Sequence, residues 1–318
     1  MNKVAILTSG GDAPGMNAAI RAFVRTALHH GMEVYGIRDG FHGLYHDDIF
    51  AMDRSSVSDT LNRGGTILGT ARFLEMLEPE VQVEIANKLK KMGIEGLVVI
   101  GGDGSYRGAL ALARHGIKVI GVPGTIDNDI PSTKLTIGYD TAVNTVVEAI
   151  DKLRDTSTSH RRCSIVEVMG RNCGDIALKA GISTGAEAII TSDFEYSFEQ
   201  LVNLAKEAFA SGKQHFLIVI TENITNVLEL AKAIEKCTKF NSRATILGYI
   251  QRGGTPSAID RYIASLFGAK AADYLVAGKS KICLGTDGFK IYATPIEEAL
   301  KLDREIDYET YKIAEIIK

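Results

Sequence analysis

The chain has 318 residues and a formal net charge of −3, with 45% hydrophobic and 24% charged residues, which is typical of a globular protein. This balance gives no support for a nucleic-acid or membrane-surface protein, and no apolar run is long enough for a transmembrane helix. The first strand begins almost at once, which leaves no room for a signal peptide, and four cysteines without CxxC spacing favour reduced thiols. We therefore expect a cytoplasmic protein with two ordinary domains or one large α/β unit.

Two glycine-rich turns in the first half each join a predicted strand to a predicted helix. The turn TSGGDAPG, at positions 8–15, follows a strand over residues 3–7 and precedes a helix over 17–29. The turn GGDGS, at 101–105, follows a strand over 96–100 and precedes a helix over 106–115. Exposed backbone N–H groups at the positive end of a helix dipole can hold phosphate. The first turn is neither a Walker A loop nor a GxGxxG turn, and close helix packing is its alternative explanation.

Charged side chains in and near these turns indicate a phosphate and metal site. Asp103 would repel an anion held by the second turn unless a Mg²⁺ ion is shared with the phosphates. The alternative is that Asp103 caps the helix. Arg63 and Arg72 lie among glycines in a combination suited to oxyanions, although a solvated loop arginine gives the same pattern.

The segment PGTIDND, at positions 123–129, follows a strand over 118–122. If the segment is extended, the alternate side chains of Thr125, Asp127 and Asp129 share one face. A hydroxyl and two carboxylates at the carboxyl end of a strand favour proton abstraction and metal-assisted chemistry. An Asx-turn that caps the next element is the alternative.

The remaining elements predict an α/β fold with a different chemistry in the second half. We expect a strand over 33–37, loops with short elements over 39–59, and helices over 79–92, 140–154 and 257–274. Further strands are expected over 164–168, 186–190 and 215–220, and another follows Arg243 and runs through Leu247. Right-handed crossovers place the loops that follow parallel strands at one sheet edge, where ligands bind. The arginines near element ends in this half suit an anionic second substrate: Arg161, Arg162, Arg171, Arg243 and Arg252.

The motifs TSGGDAPGMNAAIR, GGDGSYRGA, PGTIDNDI, MGRNCGD and QRGGTPSAIDR together resemble the bacterial ATP-dependent 6-phosphofructokinases, essentially from end to end. The resemblance implies two Rossmann-like three-layer αβα domains with mostly parallel sheets and an active site in the cleft between them. It implies an ATP-binding domain over 1–138 plus 251–301 and a fructose 6-phosphate-binding domain over 139–250 plus 302–318. The implied reaction, the committed step of glycolysis, transfers the γ-phosphoryl group of MgATP to the 1-hydroxyl of fructose 6-phosphate.

The resemblance also implies a role for individual residues. Asp127 is the base, Asp103 holds Mg²⁺ with Asp129 nearby, and the catalytic group further includes Gly11, Arg72, Thr125 and Arg171. The ATP site comprises Gly11, Arg72, Phe73, Gly102, Asp103, Gly104, Ser105 and Gly108. The sugar-phosphate site comprises Thr125, Asp127, Met169, Gly170, Arg171, Glu222, Tyr249 and Arg252, with Arg162 and Arg243 from a neighbouring subunit of a homotetramer. The effector site, for ADP or phosphoenolpyruvate, comprises Arg21, Arg25, Arg54, Arg154, Gly185, Glu187, Lys213 and His215.

Five positions bear on how this member of the family works. Gly104 and Gly124 replace the aspartate and lysine of the diphosphate-dependent branch, which predicts room for a full nucleotide and hence ATP as the donor. Tyr249 stands where a histidine is usual, and a phenol cannot become cationic, so we expect weaker sugar-phosphate binding. Ser211 and Gln214 replace basic residues of the effector site, which predicts weakened allosteric control.

Three alternatives remain open at this point. The enzyme could phosphorylate a related phosphosugar such as tagatose 6-phosphate, or it could use diphosphate as the donor. A non-catalytic sensor of nucleotide or sugar phosphate is the alternative from a different class, but a binder of two anions gains nothing from the Asp127 carboxylate. A dehydrogenase is excluded by the lack of a GxGxxG turn with a ribose-binding acid.

Overall fold

The computed structural model describes residues 1–160 and 162–318, so Arg161, one of the arginines noted above, lies outside the described residues. The described chain divides into two compact units. The larger unit comprises Met1–Ile126, Ile130–Thr141 and Arg252–Arg304, and the smaller unit comprises Asp127–Asp129, Ala142–Gln251 and Glu305–Lys318. Which ligand each unit binds remains a prediction.

Strands and helices alternate along most of the chain. The strands of the described residues are β1 (Lys3–Thr8), β2 (Glu33–Ile37), β3 (Ile49–Met52), β4 (Gly96–Gly101), β5 (Lys118–Pro123), β6 (Arg162–Val168), β7 (Ala188–Ile190), β8 (Phe216–Thr221), β9 (Asn241–Ile246), β10 (Ile282–Thr286) and β11 (Ile291–Pro295). The α-helices are α1 (Met16–His29), α2 (Gly40–Tyr45), α3 (Pro79–Lys91), α4 (Asp103–Arg114), α5 (Tyr139–His160), α6 (Asp175–Thr184), α7 (Phe198–Ala210), α8 (Val227–Cys237), α9 (Ala258–Val276), α10 (Ile296–Ala299) and α11 (Tyr308–Ile317). Short 3-10 helices occupy Leu74–Leu77 and Gly248–Arg252.

The larger unit is a seven-stranded sheet in the order β11-β10-β5-β4-β1-β2-β3. The strand pairs β10–β5, β5–β4, β4–β1 and β1–β2 are parallel. The edge strands β11 and β3 run antiparallel to their neighbours β10 and β2. Leu7 and Val99 face a buried cluster that includes residues of α3 and α4, while α1 and α9 pack together and contact β1 and β5. Gly268 on α9 allows this close helix contact, because a Cβ there would collide with Ala19 O on α1. Helices on both sides explain why the central strands are almost continuously apolar.

The smaller unit is a four-stranded parallel sheet in the order β7-β8-β6-β9. Its core joins Ile165 of β6 and Ile218 of β8 to Leu201 of α7 and Leu230 of α8. No helix in the described ranges is long and apolar enough to cross a membrane.

The α/β class and the mostly parallel sheets were predicted correctly, but several element boundaries, and some elements such as helix α6, were not. Helix α4 begins at Asp103 rather than Tyr106, because the glycines of GGDGS form its cap and first turn instead of a separate loop. Helix α5 continues to His160 rather than ending at 154, and Arg243 lies inside β9 rather than before a strand. Helix α6 was not predicted; it is buried on several sides, so its sequence shows little helical alternation.

Candidate active site

The carboxyl ends of three neighbouring strands form the phosphate-loop edge of the larger unit. Thr8 at the end of β1 pairs with Ile100 of β4, and Gly101 at the end of β4 pairs with Pro123 of β5. The chain runs from β1 outward to β2 in one direction and from β4 to β5 in the other, so the strand order reverses between β1 and β4. Ligands of open α/β sheets bind at such a reversal. Both glycine-rich turns lie there, as the sequence predicted.

Hydrogen bonds hold the loops of this edge together. Ser9 N donates to Ile100 O at 2.9 Å, and Gly124 N donates to Gly101 O at 3.1 Å. The buried Ser105 hydroxyl donates to Ser9 O at 3.1 Å, which joins the second glycine-rich turn to the first. Ser105 was predicted to bind ATP, and its hydroxyl is directed at this loop contact.

The N-terminus of α4 is open to a ligand. Its cap residue is Gly102, no side chain caps the helix, and Asp103 lies exposed in the first turn, so the alternative in which Asp103 caps the helix is wrong. A Cβ built on Gly102 or Gly104 would have no atom within 4 Å. The first N–H groups of a helix lack partners within the helix and favour an anion. The structure therefore offers space and donors for phosphate beside the Asp103 carboxylate.

The segment from Arg63 to Arg72 lies along the first loop. Thr8 Oγ1 donates to Gly69 O at 2.7 Å, and Thr70 Oγ1 donates to Gly10 O at 2.7 Å. The exposed Arg72 follows Thr70 by two residues, and Thr70 bonds directly to the loop that contains Gly11. The two predicted phosphate-binding segments, over 8–15 and 63–72, therefore contact each other in the larger unit.

Phe73 and Gly108 have packing partners in the larger unit. The Phe73 ring lies 5.4 Å from the Tyr45 ring and 5.9 Å from the His42 ring, centroid to centroid. A Cβ on the buried Gly108 would lie 2.7 Å from the Phe41 ring. Gly108 therefore allows α4 to approach Phe41, and its role in ATP binding remains a prediction.

Arg252 lies against the first loop. A Cβ built on Gly11 would be 2.5 Å from Arg252 Nη1, so no other residue fits at position 11 without moving the guanidinium. The sequence placed Gly11 with ATP and Arg252 with the sugar phosphate. Their contact brings a cation to the first glycine-rich turn of the larger unit.

The segment PGTIDND is only partly extended. Ile137 N donates to Pro123 O at 3.0 Å, Thr125 N donates to Ile137 O at 3.2 Å, and Thr136 Oγ1 donates to Thr125 O at 2.6 Å. After Thr125 the chain turns, and Asn128 has a left-handed φ of 53°. The expectation that Thr125, Asp127 and Asp129 share one face by simple alternation is therefore wrong, because alternation requires continuous β geometry.

Gly124 serves packing. A Cβ at this position would lie 2.8 Å from Ile100 Cγ2 and 3.0 Å from Met16 Cε, both in the buried core. A lysine at 124 would begin in this core, so the expectation that Gly124 leaves room for a nucleotide is not supported. Gly104, in contrast, faces open space.

A second set of predicted residues lies at the carboxyl ends of the strands of the smaller unit. Arg171 N donates to Glu222 Oε1 at 3.0 Å, and Met169 N donates to Gln251 Oε1 at 3.1 Å. Gly170 has a φ of 138°, and a Cβ there would collide with Cys173 O, so glycine is required in this turn. Burial raises the pKa of Glu167 on β6, and the Glu222 carboxylate adds to the shift.

The Asp127–Asp129 stretch is part of this unit. Asn128 Nδ2 donates to Asp175 Oδ2 at 2.8 Å, and Cys173 Sγ contacts Asn128 O at 3.8 Å. The Asp127 side chain is nearly buried, with its residue 9% exposed. The bonds tie the proposed base segment to the turn that carries Arg171 and to the start of α6.

Two predicted sugar-phosphate ligands lie at the opposite end of this sheet. Arg162 begins β6, six residues before Val168, which corresponds to about 20 Å of strand. Arg243 lies near the start of β9, where its Nη1 donates to Ser242 O at 2.7 Å. The structure does not bring Arg162 and Arg243 together with Met169, Arg171 and Glu222 in one smaller unit.

Tyr249, another predicted sugar-phosphate ligand, is 79% exposed.

Several predicted effector residues meet at the amino ends of β6 and β8. A cavity of about 90 Å³ is lined there by Arg154, Arg162 and His215. Arg154 donates to Gly185 O, and His215 Nε2 lies 3.6 Å from Glu187 Oε1. Lys213 is exposed nearby in the chain, and Ser211 and Gln214 make local turn bonds.

The other effector residues belong to the larger unit. Burial lowers the pKa of Arg21, and the like charge of Arg25 adds to that shift, so the two guanidinium groups are close neighbours on α1. Arg54 is exposed. A pair of like charges one turn apart is unfavourable without an anion.

Three supporting residues were missed in the sequence. Asn17, which is buried, donates to Arg63 O at 3.0 Å and accepts from Ile67 N at 2.7 Å. Gln251, also buried, holds Met169, and Asp175 holds Asn128. These polar residues lie within the quoted motifs, which was the available signal, but their partners lie far away in sequence.

The chain is similar along nearly its whole length to known phosphofructokinases. The family model "PFK: Phosphofructokinase" matches residues 3–275. ATP-dependent 6-phosphofructokinase 1 of Clostridium perfringens is 55% identical over 317 residues, covering 100% of this chain and 99% of the relative. The ATP-dependent 6-phosphofructokinase of Clostridium acetobutylicum is 53% identical over 317 residues, with the same coverage.

Solved structures show the same fold. The phosphofructokinase of Saccharomyces cerevisiae superposes with a TM-score of 0.87 and 32% identity over 100% of this chain, which spans 47% of the yeast chain. A pyrophosphate-dependent phosphofructokinase from Marinobacter aquaeolei has a TM-score of 0.87 at 20% identity, over 97% of this chain and 86% of that one. The fold and the site together define an α/β phosphotransferase. The chain belongs to the phosphofructokinase family, as its motifs predicted.

Proposed function

We propose that the protein is an ATP-dependent 6-phosphofructokinase. It transfers the γ-phosphoryl group of ATP to the 1-hydroxyl of fructose 6-phosphate and produces fructose 1,6-bisphosphate. The observation that carries the choice of donor is the open N-terminus of α4, where Gly104 has no atom within 4 Å of a Cβ position. The names of relatives at 53–55% identity over the full chain support the same reaction.

The chain supplies a base and a set of positioning groups. Asp127 accepts the proton of the 1-hydroxyl as that oxygen attacks, and its burial limits the access of water. Thr125, Gly11, Arg72 and Arg171 position and neutralise the transferring group. Phosphoryl transfer needs little covalent chemistry from the enzyme, so positioning and electrostatic stabilisation account for most of the rate.

Asp103 would hold Mg²⁺, with Asp129 as a supporting carboxylate. In the described residues no three His, Cys, Asp or Glu side chains form a metal-binding group. This fits Mg²⁺, which proteins commonly bind through one or two carboxylates together with substrate phosphates. When bound, the ion neutralises charge on the phosphate oxygens.

The sugar-phosphate site is proposed to be shared between copies of the chain in a homotetramer. Arg162 and Arg243 lie at the other end of the sheet from Arg171 and Glu222, so one smaller unit alone does not assemble the complete set of predicted ligands. Arginines from a neighbouring copy, beside Tyr249 and Arg252, would complete the site for the 6-phosphate.

The effector site is proposed to bind ADP or phosphoenolpyruvate with reduced strength. Arg21, Arg25 and Arg154 supply cations, but Ser211 and Gln214 are neutral and make only local turn bonds. We expect phosphoenolpyruvate to inhibit weakly and without strong cooperativity in a steady-state assay. Strong, cooperative inhibition would contradict this part of the proposal.

The test is ADP release coupled to a reporter, with MgATP and fructose 6-phosphate as substrates. Wild type should turn over, and Asp127→Ser should lose at least 100-fold in kcat because the base is gone. Asp151→Ser, which removes an exposed carboxylate from α5, is the matched control and should retain activity. Wild-type activity in Asp127→Ser, or a wild type that prefers tagatose 6-phosphate or diphosphate, would contradict the proposal.

A further inference from the structure

Asp260 is a fully buried carboxylate that the proposed reaction does not use. It lies in the first turn of α9, with 0% of the residue exposed, and its own N–H is capped by Ser257 Oγ at 3.1 Å. A buried aspartate in a helix is uncommon, and burial of a charge is costly unless hydrogen bonds compensate. Its partners therefore indicate what it is for.

Those partners lie at the start of another helix. Asp260 Oδ1 accepts from Gly138 N at 2.8 Å, and Oδ2 accepts from Thr141 N at 2.8 Å and from Thr141 Oγ1 at 2.5 Å. Thr141 Oγ1 in turn accepts from Ser257 N at 2.9 Å. Asp260 thus satisfies N–H groups at the start of α5 from outside that helix, a task usually performed by a local cap residue.

The start of α5 is joined directly to the catalytic segment. Ile137, the neighbour of Gly138, donates to Pro123 O and accepts from Thr125 N, and the adjacent Thr136 donates to Thr125 O. Asp127 follows Thr125 by two residues. If Gly138 moved, the movement would pass through the covalent chain to Ile137 and Thr136. The three hydrogen bonds just described would then carry it to Pro123 and Thr125, which precede the proposed base.

The first glycine-rich loop packs on the same point. A Cβ on Gly138 would lie 2.6 Å from Ala13 Cβ, and one on Gly15 would lie 2.8 Å from Ile137 Cγ2 and 3.4 Å from Asp260 Cβ. Both glycines have positive φ values, of 102° and 107°. The contacts leave no space for the segment Ile137–Gly138 to move without disturbing the first loop.

We propose that Asp260 is a positioning residue for phosphoryl transfer, which holds Gly138 and Thr141 so that the Thr125–Asp127 segment keeps its reactive position. The bonds need an ionised carboxylate, because both oxygens accept. An asparagine has the same size but would present an N–H donor to a backbone N–H donor. The kinetic consequence rests on the proposed function, whereas the structural consequence does not.

Charged groups around Asp260 are few. On helix α5, the charge of Asp140 raises the pKa of Asp260. The segment Ala13–Met16 has no titratable side chain. On α9, the neighbouring Arg261 donates through Nε to Pro256 O. Burial is the main cause that raises the pKa of Asp260 to about 6, against the hydrogen bonds from Thr141 and Gly138. Protonation near that pH should imitate the asparagine variant.

The experiment compares Asp260→Asn with Asp273→Asn. Asp273 lies on the same helix, where it pairs with His30 at 2.9 Å on the surface. Asp260→Asn should lower kcat at least tenfold with KM values within about twofold, and the ratio of wild-type to variant kcat should shrink as the pH falls from 8 to 5. Hydrogen exchange of the amides of Thr125 and Ile137 should accelerate in the same variant. Asp273→Asn should match wild type in all four readouts.

If Asp260→Asn fails to fold, Thr141→Val and Thr141→Ser carry the test, since only the serine retains the hydroxyl that donates to Asp260. The serine variant should resemble wild type and the valine variant should resemble the expected behaviour of Asp260→Asn. Unchanged kcat in Asp260→Asn, or reduced kcat with unchanged amide exchange over 123–138, would overturn the inference. A wild type without kinase activity that still shows the exchange difference would refute the proposed function and leave the positioning role intact.

Discussion

Gly104 and Gly124 occupy opposite environments in the larger unit. Gly104 lies in the first turn of α4 beside open space, whereas Gly124 faces Ile100 and Met16 in the core. Of the two, only Gly104 leaves open space, so only Gly104 fits the proposal that a glycine makes room for the phosphoryl donor. Position 124 is constrained by packing, and a larger residue there requires the core to shift.

Gly104→Asp is expected to raise the KM for MgATP about tenfold, or about 1.4 kcal/mol, because a carboxylate would enter the space reserved for phosphate. The KM for fructose 6-phosphate should not change. An acidic residue in the first turn favours a helix, so thermal stability should be retained. Gly104→Ala fits the open space and serves as the control. An unchanged KM for MgATP in the aspartate variant would show that the space beside Gly104 does not receive the nucleotide.

Tyr249→His is expected to lower the KM for fructose 6-phosphate, because a cationic imidazole can replace a neutral phenol beside phosphate. The gain in binding free energy should be about 1–2 kcal/mol. The effect should be larger at pH 6 than at pH 8, since histidine loses its proton in that interval. Tyr249 is 79% exposed, so stability should not change. Tyr249→Phe tests the phenol hydroxyl alone. The idea fails if steady-state assays give the same KM for wild type and the histidine variant.

At the scale of elements, the junction of α5 and α9 combines a functional contact with a cost in stability. The pKa of Asp260 is raised to about 6 from an ordinary 3.8, so folding favours the protonated form. Its contribution to stability is therefore complete below about pH 3.8 and is lost as the pH rises through about 6. The ionised form, which the positioning role needs, is the less stable one.

The free energy of unfolding of wild type minus that of Asp260→Asn should consequently fall between pH 4 and pH 7, by up to about 3 kcal/mol. Urea unfolding followed by circular dichroism measures this, since the chain has no tryptophan. Asp273→Asn provides the reference for a surface carboxylate on the same helix. A difference that stays constant over the interval would mean that Asp260 has an ordinary pKa.

The elements that the sequence predicted well have clear local signals. Strands such as β4 and β5 are short apolar runs that end at Gly101 or just before Gly124, and these signals do not depend on distant contacts. The start of α4 was missed because glycines were interpreted as a loop, although Gly102 and Gly104 belong to its cap and first turn. Helix α6 was missed because it is buried on several sides.

The site was predictable as far as its motifs extend. The glycine-rich turns and PGTIDND could be assigned because chemistry and spacing coincide there. The roles of Asn17, Gln251 and Asp260 could not be predicted, because each side chain bonds to a backbone group far away in sequence. The separation is 46 residues for Asn17, 82 for Gln251, and 119 and 122 for Asp260. The left-handed Asn128 also gave no sequence signal strong enough to replace the extended interpretation.

At the scale of the whole molecule, the proposed sharing of the sugar-phosphate site between copies predicts complementation. Asp127→Ser and Arg243→Ser should each be defective at low fructose 6-phosphate. A mixture that is dissociated and reassembled should recover up to roughly a quarter of wild-type activity, because some sites receive an intact Asp127 from one copy and an intact Arg243 from another. A mixture of Asp127→Ser with itself is the control. No recovery from hybrids that form would place both residues in the site of a single copy.

The most direct measurement is phosphorus NMR of the complete reaction with MgATP and fructose 6-phosphate. The expected result is one new sugar 1-phosphate signal for each ADP formed, and no such signal with Asp127→Ser. Release of inorganic phosphate without a new sugar signal, or product formation from diphosphate but not from ATP, would contradict it.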